Sequence, residues 1–98
     1  MHKVRIHEAA DEEMNSAAAY YEAREIGLGE AFLAEISRGI RQIQTRPLAW
    51  ATLIDDYRRY VLNRFPYVLI YRVDADDILV LAVAHSHRKP GYWRSRLG

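Results

Sequence analysis

Apolar residues recur with a helical period along the first half of the chain and in short, nearly unbroken runs along the second. Ala10, Met14, Ala17, Ala18 and Tyr21 fall at i, i+4, i+7, i+8 and i+11, the stripe of an amphipathic helix of about four or five turns starting at Glu8. Asp11, Glu12 and Glu13 stand early in it, where the helix dipole favours negative charge. Gly27 and Gly29 tolerate the left-handed backbone that ends helices and turn the chain. A second stripe, Phe32, Ile36, Ile40 and Ile43, predicts a second helix, with Arg38, Arg41 and Arg46 toward its end and Pro47 forbidding continuation. The two helices form a hairpin. Ahead of them residues 4–7 alternate weakly and predict a first strand.

Beyond a loop containing Trp50, residues 57–63, 67–73 and 78–84 are rich in Val, Ile, Leu and Tyr. Phe65-Pro66 and the acidic stretch 74–77 separate them, which predicts a three-stranded antiparallel meander. The last run, Ile78-Leu79-Val80-Leu81-Ala82-Val83-Ala84, lacks polar alternation, so it belongs inside the sheet with both faces covered. The expected fold is α+β in the order β-α-α-β-β-β, an antiparallel sheet packed on a helix hairpin. Residues 1–98 make one domain, of which 85–98 form a basic, aromatic tail.

With 98 residues, half of them hydrophobic, the chain has apolar surface for a single thin core. It contains no cysteine, which removes disulfides, thiol nucleophiles and thiolate metal sites. No run approaches the ~18 apolar residues of a membrane helix and no signal-peptide core is present, so a soluble cytoplasmic protein is expected. The net charge of +1 is unevenly spread. Residues 1–57 hold six Lys/Arg against ten Asp/Glu, net −4, and residues 58–98 hold eight against three, net +5. A basic C-terminal half suits a polyanion, an acidic protein surface, or solvent alone.

The stretch "AVAHSHRKPGYWR", residues 82–94, concentrates the candidate chemistry. His85 is expected to end the last strand and hydrogen-bond backbone, with Tyr92 and Trp93 folding back over the sheet and their polar tips at the surface. His85 and His87 do not make a metal site by themselves, because a site needs three or four ligands and Asp74, Asp76 and Asp77 lie at the far end of the strand. No cofactor is implied. Arg58 and Arg59 are adjacent on a strand and therefore point to opposite faces. Arg64 has a structural role open to it as a countercharge to the helix carboxylates.

The element order, together with "YYEAREIGLGEAFLAEI", "RFPYVLIYRV" and "ILVLAVAHSHRKPGYW", resembles the RelE/ParE family of toxins from type II toxin-antitoxin systems. Arg64-Phe65-Pro66-Tyr67 and His85-x-x-Arg88-x-Pro90 carry most of the likeness. The resemblance implies a growth inhibitor, of the kind that stabilises plasmids, neutralised by a cognate antitoxin encoded beside it, with operator DNA contacted only through that antitoxin. RelE-like members are ribosome-dependent mRNA endonucleases, whose strand cations fall on Arg59, Val61 and Val68 here, and whose arginine near the C-terminus falls on Ser86. Only Arg59 retains the charge. The resemblance therefore favours the ParE-like branch, which binds DNA gyrase and needs a contact surface: Arg59, Arg64, His85, His87, Arg88, Lys89, Tyr92, Trp93 and Arg94, for target or antitoxin. The alternatives are a nuclease site rebuilt from Arg59, His85, Arg88 and Tyr92, and an inactive toxin remnant acting as antitoxin co-repressor.

Overall fold

The computed structural model describes residues 2–97. Its elements run β1 (Lys3–Ile6), α1 (Glu8–Arg24), α2 (Leu28–Thr45), β2 (Thr52–Ile54), β3 (Tyr57–Val61), β4 (Tyr67–Asp74) and β5 (Asp77–His85), closing with a 3-10 turn at Arg94–Leu97. The α+β class and the helix hairpin on a sheet are as the sequence predicts. Three details differ, each for a reason visible in the hydrogen bonds.

His7 leaves the first strand to cap α1, its Nδ1 accepting the Ala9 N–H at 3.0 Å. The strand opening at Tyr57 stops at Val61 instead of reaching residue 63, because the buried carboxylate of Glu35 on α2 takes the N–H groups of Asn63 and Arg64. An additional short strand, β2, forms within the segment read as a loop. That segment is pinned by Arg58, which donates to the Trp50 carbonyl at 2.7 Å, and by the Tyr71 hydroxyl, which donates to the Pro47 carbonyl at 2.5 Å. Thus held, Thr52–Ile54 pairs with β3 across the Asp55-Asp56 turn.

The five strands lie in the order β1-β5-β4-β3-β2, antiparallel except for the β1–β5 pair. The expected meander is thus extended by one strand at each side. The helix hairpin covers one face through Phe32, Ile36 and Ile43 against Leu69, Tyr71 and Val80. The hairpin closes tightly at its tip: Gly27 adopts φ 90°, and Glu22 accepts the N–H groups of Gly27 and Gly29. A register shift between Ile70 and Tyr71 leaves Leu81 as the extra residue of β5, which reverses the facing of the strand at that point. Ile78, Val80 and Val83 consequently join the helix-side core, while Leu81, Ala82 and Ala84 join Ile70 and Trp93 on the other face. β5 is an interior strand covered on both sides, as its unbroken apolar run predicts. Among the described residues no helix is long and apolar enough to cross a membrane.

Candidate functional site

The second face of the sheet is only partly covered, and the uncovered part is a groove. Strand parity builds it. Arg59 alternates with Arg58 on β3, so Arg58 turns toward the helix side and holds the 46–51 segment, while Arg59 faces the open side opposite Ile70. Val68, Ile70 and Ala84 form the apolar floor, Leu53 and Ile54 the wall at β2, and the tail closes the other side. The resulting cleft has a volume of about 220 Å³.

The tail reaches this position through two turns. After β5 the N–H of Ser86 bonds the Pro66 carbonyl and that of Arg88 bonds the His85 carbonyl. At Pro90-Gly91 the chain reverses, Gly91 adopting φ 78°, a conformation glycine reaches without penalty. Trp93 is then driven into the sheet face, 2% exposed, its ring edge-on to Tyr57 with centroids 4.7 Å apart.

Of the residues singled out in the sequence, Arg59, His85, Arg88, Lys89, Tyr92 and Trp93 all line this groove. His87 and Arg94 stand off it. His87 lies in the turn, its N–H donating to His85 Nδ1 at 3.1 Å and its ring packed on that of His85. Arg94 reaches across to Asp55 at 3.6 Å in an exposed pair. Arg64 is elsewhere: it lies by α2 with Glu35, Arg38 and Gln42, its guanidinium over the Phe65 ring. Its backbone N–H, not its side chain, meets the helix carboxylate, so the countercharge role is replaced by a turn-capping one.

Two of the atoms able to move protons are already occupied. His85 Nδ1 accepts a backbone N–H, as expected of a strand-end residue. Tyr92 departs from expectation, because its hydroxyl turns away from the surface and donates to Glu13 Oε2 at 2.5 Å. Burial, with that hydrogen bond, pushes the Tyr92 phenol up to about 12. The Arg88 guanidinium lies 3.9 Å above the Tyr92 ring, a cation–π contact that fixes the cation at the groove rim.

Two further residues join this arrangement and were not singled out as site residues, Glu13 and Arg96. Arg96 grips Glu13 through two 2.8 Å hydrogen bonds. Burial by itself raises the Glu13 carboxyl, but the bonds from Arg96, Tyr92 and the Val83 N–H outweigh it and hold the group below its ordinary value. Neither residue has a spacing signal; each reads as one charge among several of its sign.

Residues 4–90 match the family described as ParE toxin of type II toxin-antitoxin system, parDE. The chain is 27% identical over 89 residues to Toxin ParE2 of Mycobacterium tuberculosis, in strains CDC 1551 / Oshkosh and ATCC 25618 / H37Rv, covering 90% of this chain and 85% of the relative. A solved structure described as the chromosomal ParDE TA system from P. aeruginosa superposes with a TM-score of 0.70 at 20% identity. That match covers 87% of this chain and 96% of the other, and it speaks for the fold.

Proposed function

The chain belongs to the ParE toxins of type II toxin-antitoxin systems, and from that premise we propose that it arrests growth by docking on a protein target, DNA gyrase, through the tail-side groove. One observation carries this reading. Where an RNA-cutting relative would present cations, Val61 and Val68 pair side by side on the groove face, leaving Arg59 as the cation of that row. An apolar floor with Arg59, Arg88 and Lys89 around it and aromatic walls has the composition of a protein-binding surface. Two of the atoms that could move protons there are taken up in hydrogen bonds. The hydroxyl of Tyr92 is committed to Glu13 and His85 Nδ1 to the backbone, which leaves His85 Nε2 as the ring atom through which general acid-base chemistry would have to run.

The same groove is the place for neutralisation by a cognate antitoxin acting in the cytoplasm. An acidic, amphipathic segment would lay apolar side chains on Val68 and Ile70 and carboxylates against the rim cations, speeding association more than deepening affinity. Co-expression with the protein encoded beside it should give a complex that melts well above the free chain, since a ligand bound only by the folded state stabilises by mass action.

The deciding experiment adds the purified chain to gyrase and to translating ribosomes in parallel. Inhibited supercoiling with intact ribosome-bound mRNA is expected. New mRNA cuts that vanish in His85→Ala and Arg88→Ala would establish the nuclease alternative and overturn this reading. A chain that binds the antitoxin yet inhibits neither system would be the inactive co-repressor.

A further inference from the structure

β1 pairs with β5 only as far as Val80, while β5 continues to His85. The strand edge left open is closed by side chains. Glu13 of α1 accepts the Val83 N–H at 3.0 Å, and Arg96 of the tail donates to the Leu81 carbonyl at 2.8 Å. Backbone groups of an uncovered edge need such partners or water. The two side chains also bind each other, and they are largely withdrawn from solvent, Arg96 15% and Glu13 19% exposed. Tyr92 is drawn into the same cluster by its hydroxyl, with the Arg96 guanidinium 5.0 Å from its ring.

The cluster lies at the root of the tail, next to the residues that shape the groove. The Arg96 N–H bonds the Trp93 carbonyl at 3.0 Å, so the position of Arg96 is tied to that of Trp93 through a single turn. Arg88 rests on the Tyr92 ring whose hydroxyl Glu13 holds. A second ion pair of the tail, Arg94 to Asp55, is exposed, and such pairs contribute little.

We infer that Glu13 and Arg96, outside the groove, are its positioning residues: their pair clasps the tail to α1, keeping Trp93 in the groove wall and Arg88 on its rim. Breaking the pair releases both. A partly buried pair that loses one member leaves the other charge unsatisfied, so the clasp opens as a unit. Its biological consequence rests on the docking role proposed for the groove; its geometry does not.

Protonation is one way to open it. Glu13 shares its hollow with Tyr20 of α1, Tyr67 of β4, His85 of β5, and Arg88 and Tyr92 of the tail, beside Arg96. A proton on His85 Nδ1 would displace the His87 N–H it accepts, a contact within the turn after β5 and not one of those made by Glu13. Protonating Glu13 removes the anion that Arg96, Tyr92 and the Val83 N–H all address, and this occurs below the ordinary carboxylate range.

The test uses the full chain carrying Trp50→Phe, which leaves Trp93 as the remaining one of two tryptophans. Emission wavelength and acrylamide quenching of Trp93 are read beside far-UV circular dichroism. Glu13→Gln and Arg96→Met should red-shift the emission and raise quenching several-fold with the far-UV signal kept. Arg96→Lys should restore part of the protection. The Trp50→Phe parent should show the same shift only on acidification, a step absent from Glu13→Gln. Trp93 staying blue and protected in both folded variants overturns the clasp. So does Glu13→Gln losing its far-UV signal along with Trp93 burial, since the pair would then belong to the global core. Growth assays on the same variants in the native Trp50 background should show arrest lost. A parent chain that never arrests growth sinks the docking role and leaves the optical result to decide the clasp.

Discussion

Val61 and Val68 face one another across β3 and β4 on the groove side, Val61 56% exposed. They extend the apolar floor outward past Arg59. An exposed apolar side chain continuing a half-buried apolar floor is a contact surface in waiting. Val61→Arg should leave stability within about 0.5 kcal/mol, since the side chain is already mostly in water. It should nevertheless weaken target binding by tenfold or more, because an arginine there adds a fourth cation to Arg59, Arg88 and Lys89 where apolar contact is needed. Full growth arrest by this variant would remove the shelf from the docking surface.

The Glu13 carboxyl is held below its ordinary value of 4.5 in the folded chain. A depressed carboxyl contributes stability that is fully present above the unfolded value and is lost as pH falls through the folded one. Urea midpoints should therefore decline on acidification below about that ordinary value, and the decline should be shallower in Glu13→Gln. Identical acid limbs for the two chains would show that Glu13 is not the group responsible.

At the alkaline side two phenols act together. Burial pushes Tyr71 up to about 12, and burial with the Glu13 hydrogen bond does the same to Tyr92. A raised phenol contributes stability present below the ordinary value of 10.0 and lost as pH rises toward the folded value. Burial also raises Tyr21 and Tyr67, so ultraviolet difference titration should show four of the seven tyrosines shifted upward, with Tyr71 and Tyr92 among the last to ionise and stability falling over the same window. Uniform ionisation of all seven with the fold intact would contradict the burial of both hydroxyls.

How much of this was legible in the sequence depends on the range of the interaction. Periodicity found both helices, since Phe32, Ile36, Ile40 and Ile43 are set by the helix's own geometry. Period-two facing correctly separated Arg58 from Arg59. β2 escaped notice because Thr52–Ile54 is too short to show alternation and forms only when Arg58 and Tyr71 pin the segment before it. The end of β3 was misplaced because Glu35, 28 residues away in the chain, takes the N–H of Asn63. Glu13 and Arg96 are 83 residues apart, and no local pattern links them. The reversal of facing at Leu81 was hidden because β5 is apolar on both sides, so a slip of one residue leaves no trace in its composition.

α2 approaches α1 and the sheet closely where glycine permits. A Cβ on Gly29 would lie 2.6 Å from the Ala18 carbonyl oxygen, and one on Gly39 would lie 2.8 Å from the Tyr60 ring. The first obstacle is backbone, the second a side chain able to yield. Gly29→Ala should cost more than Gly39→Ala, the latter falling in the range of about 1–3 kcal/mol typical of overpacking. Chemical denaturation of the two variants checks the ranking, and the reverse order would mean that the helix hairpin relaxes more readily than the sheet.

Glu35 is 6% exposed and sits where α2 passes the β3–β4 connection. Its carboxylate accepts the N–H groups of Asn63 and Arg64 and thereby ends β3 at Val61. Hydrogen bonds to a charged acceptor are stronger than neutral ones, and donors left without a partner retain their desolvation cost. Glu35→Ala should destabilise by about 2–3 kcal/mol on that basis. Glu35→Gln should lose less, since its amide oxygen still accepts one bond. Amide exchange at Asn63 and Arg64 should accelerate in the alanine variant well beyond the global loss of protection. The residues past Val61 carry the strand pattern that the carboxylate interrupts, so nothing in their own sequence restores the turn once Glu35 is gone. Unchanged exchange at both amides in Glu35→Ala would show that the turn is held by Leu62 and Phe65 packing instead.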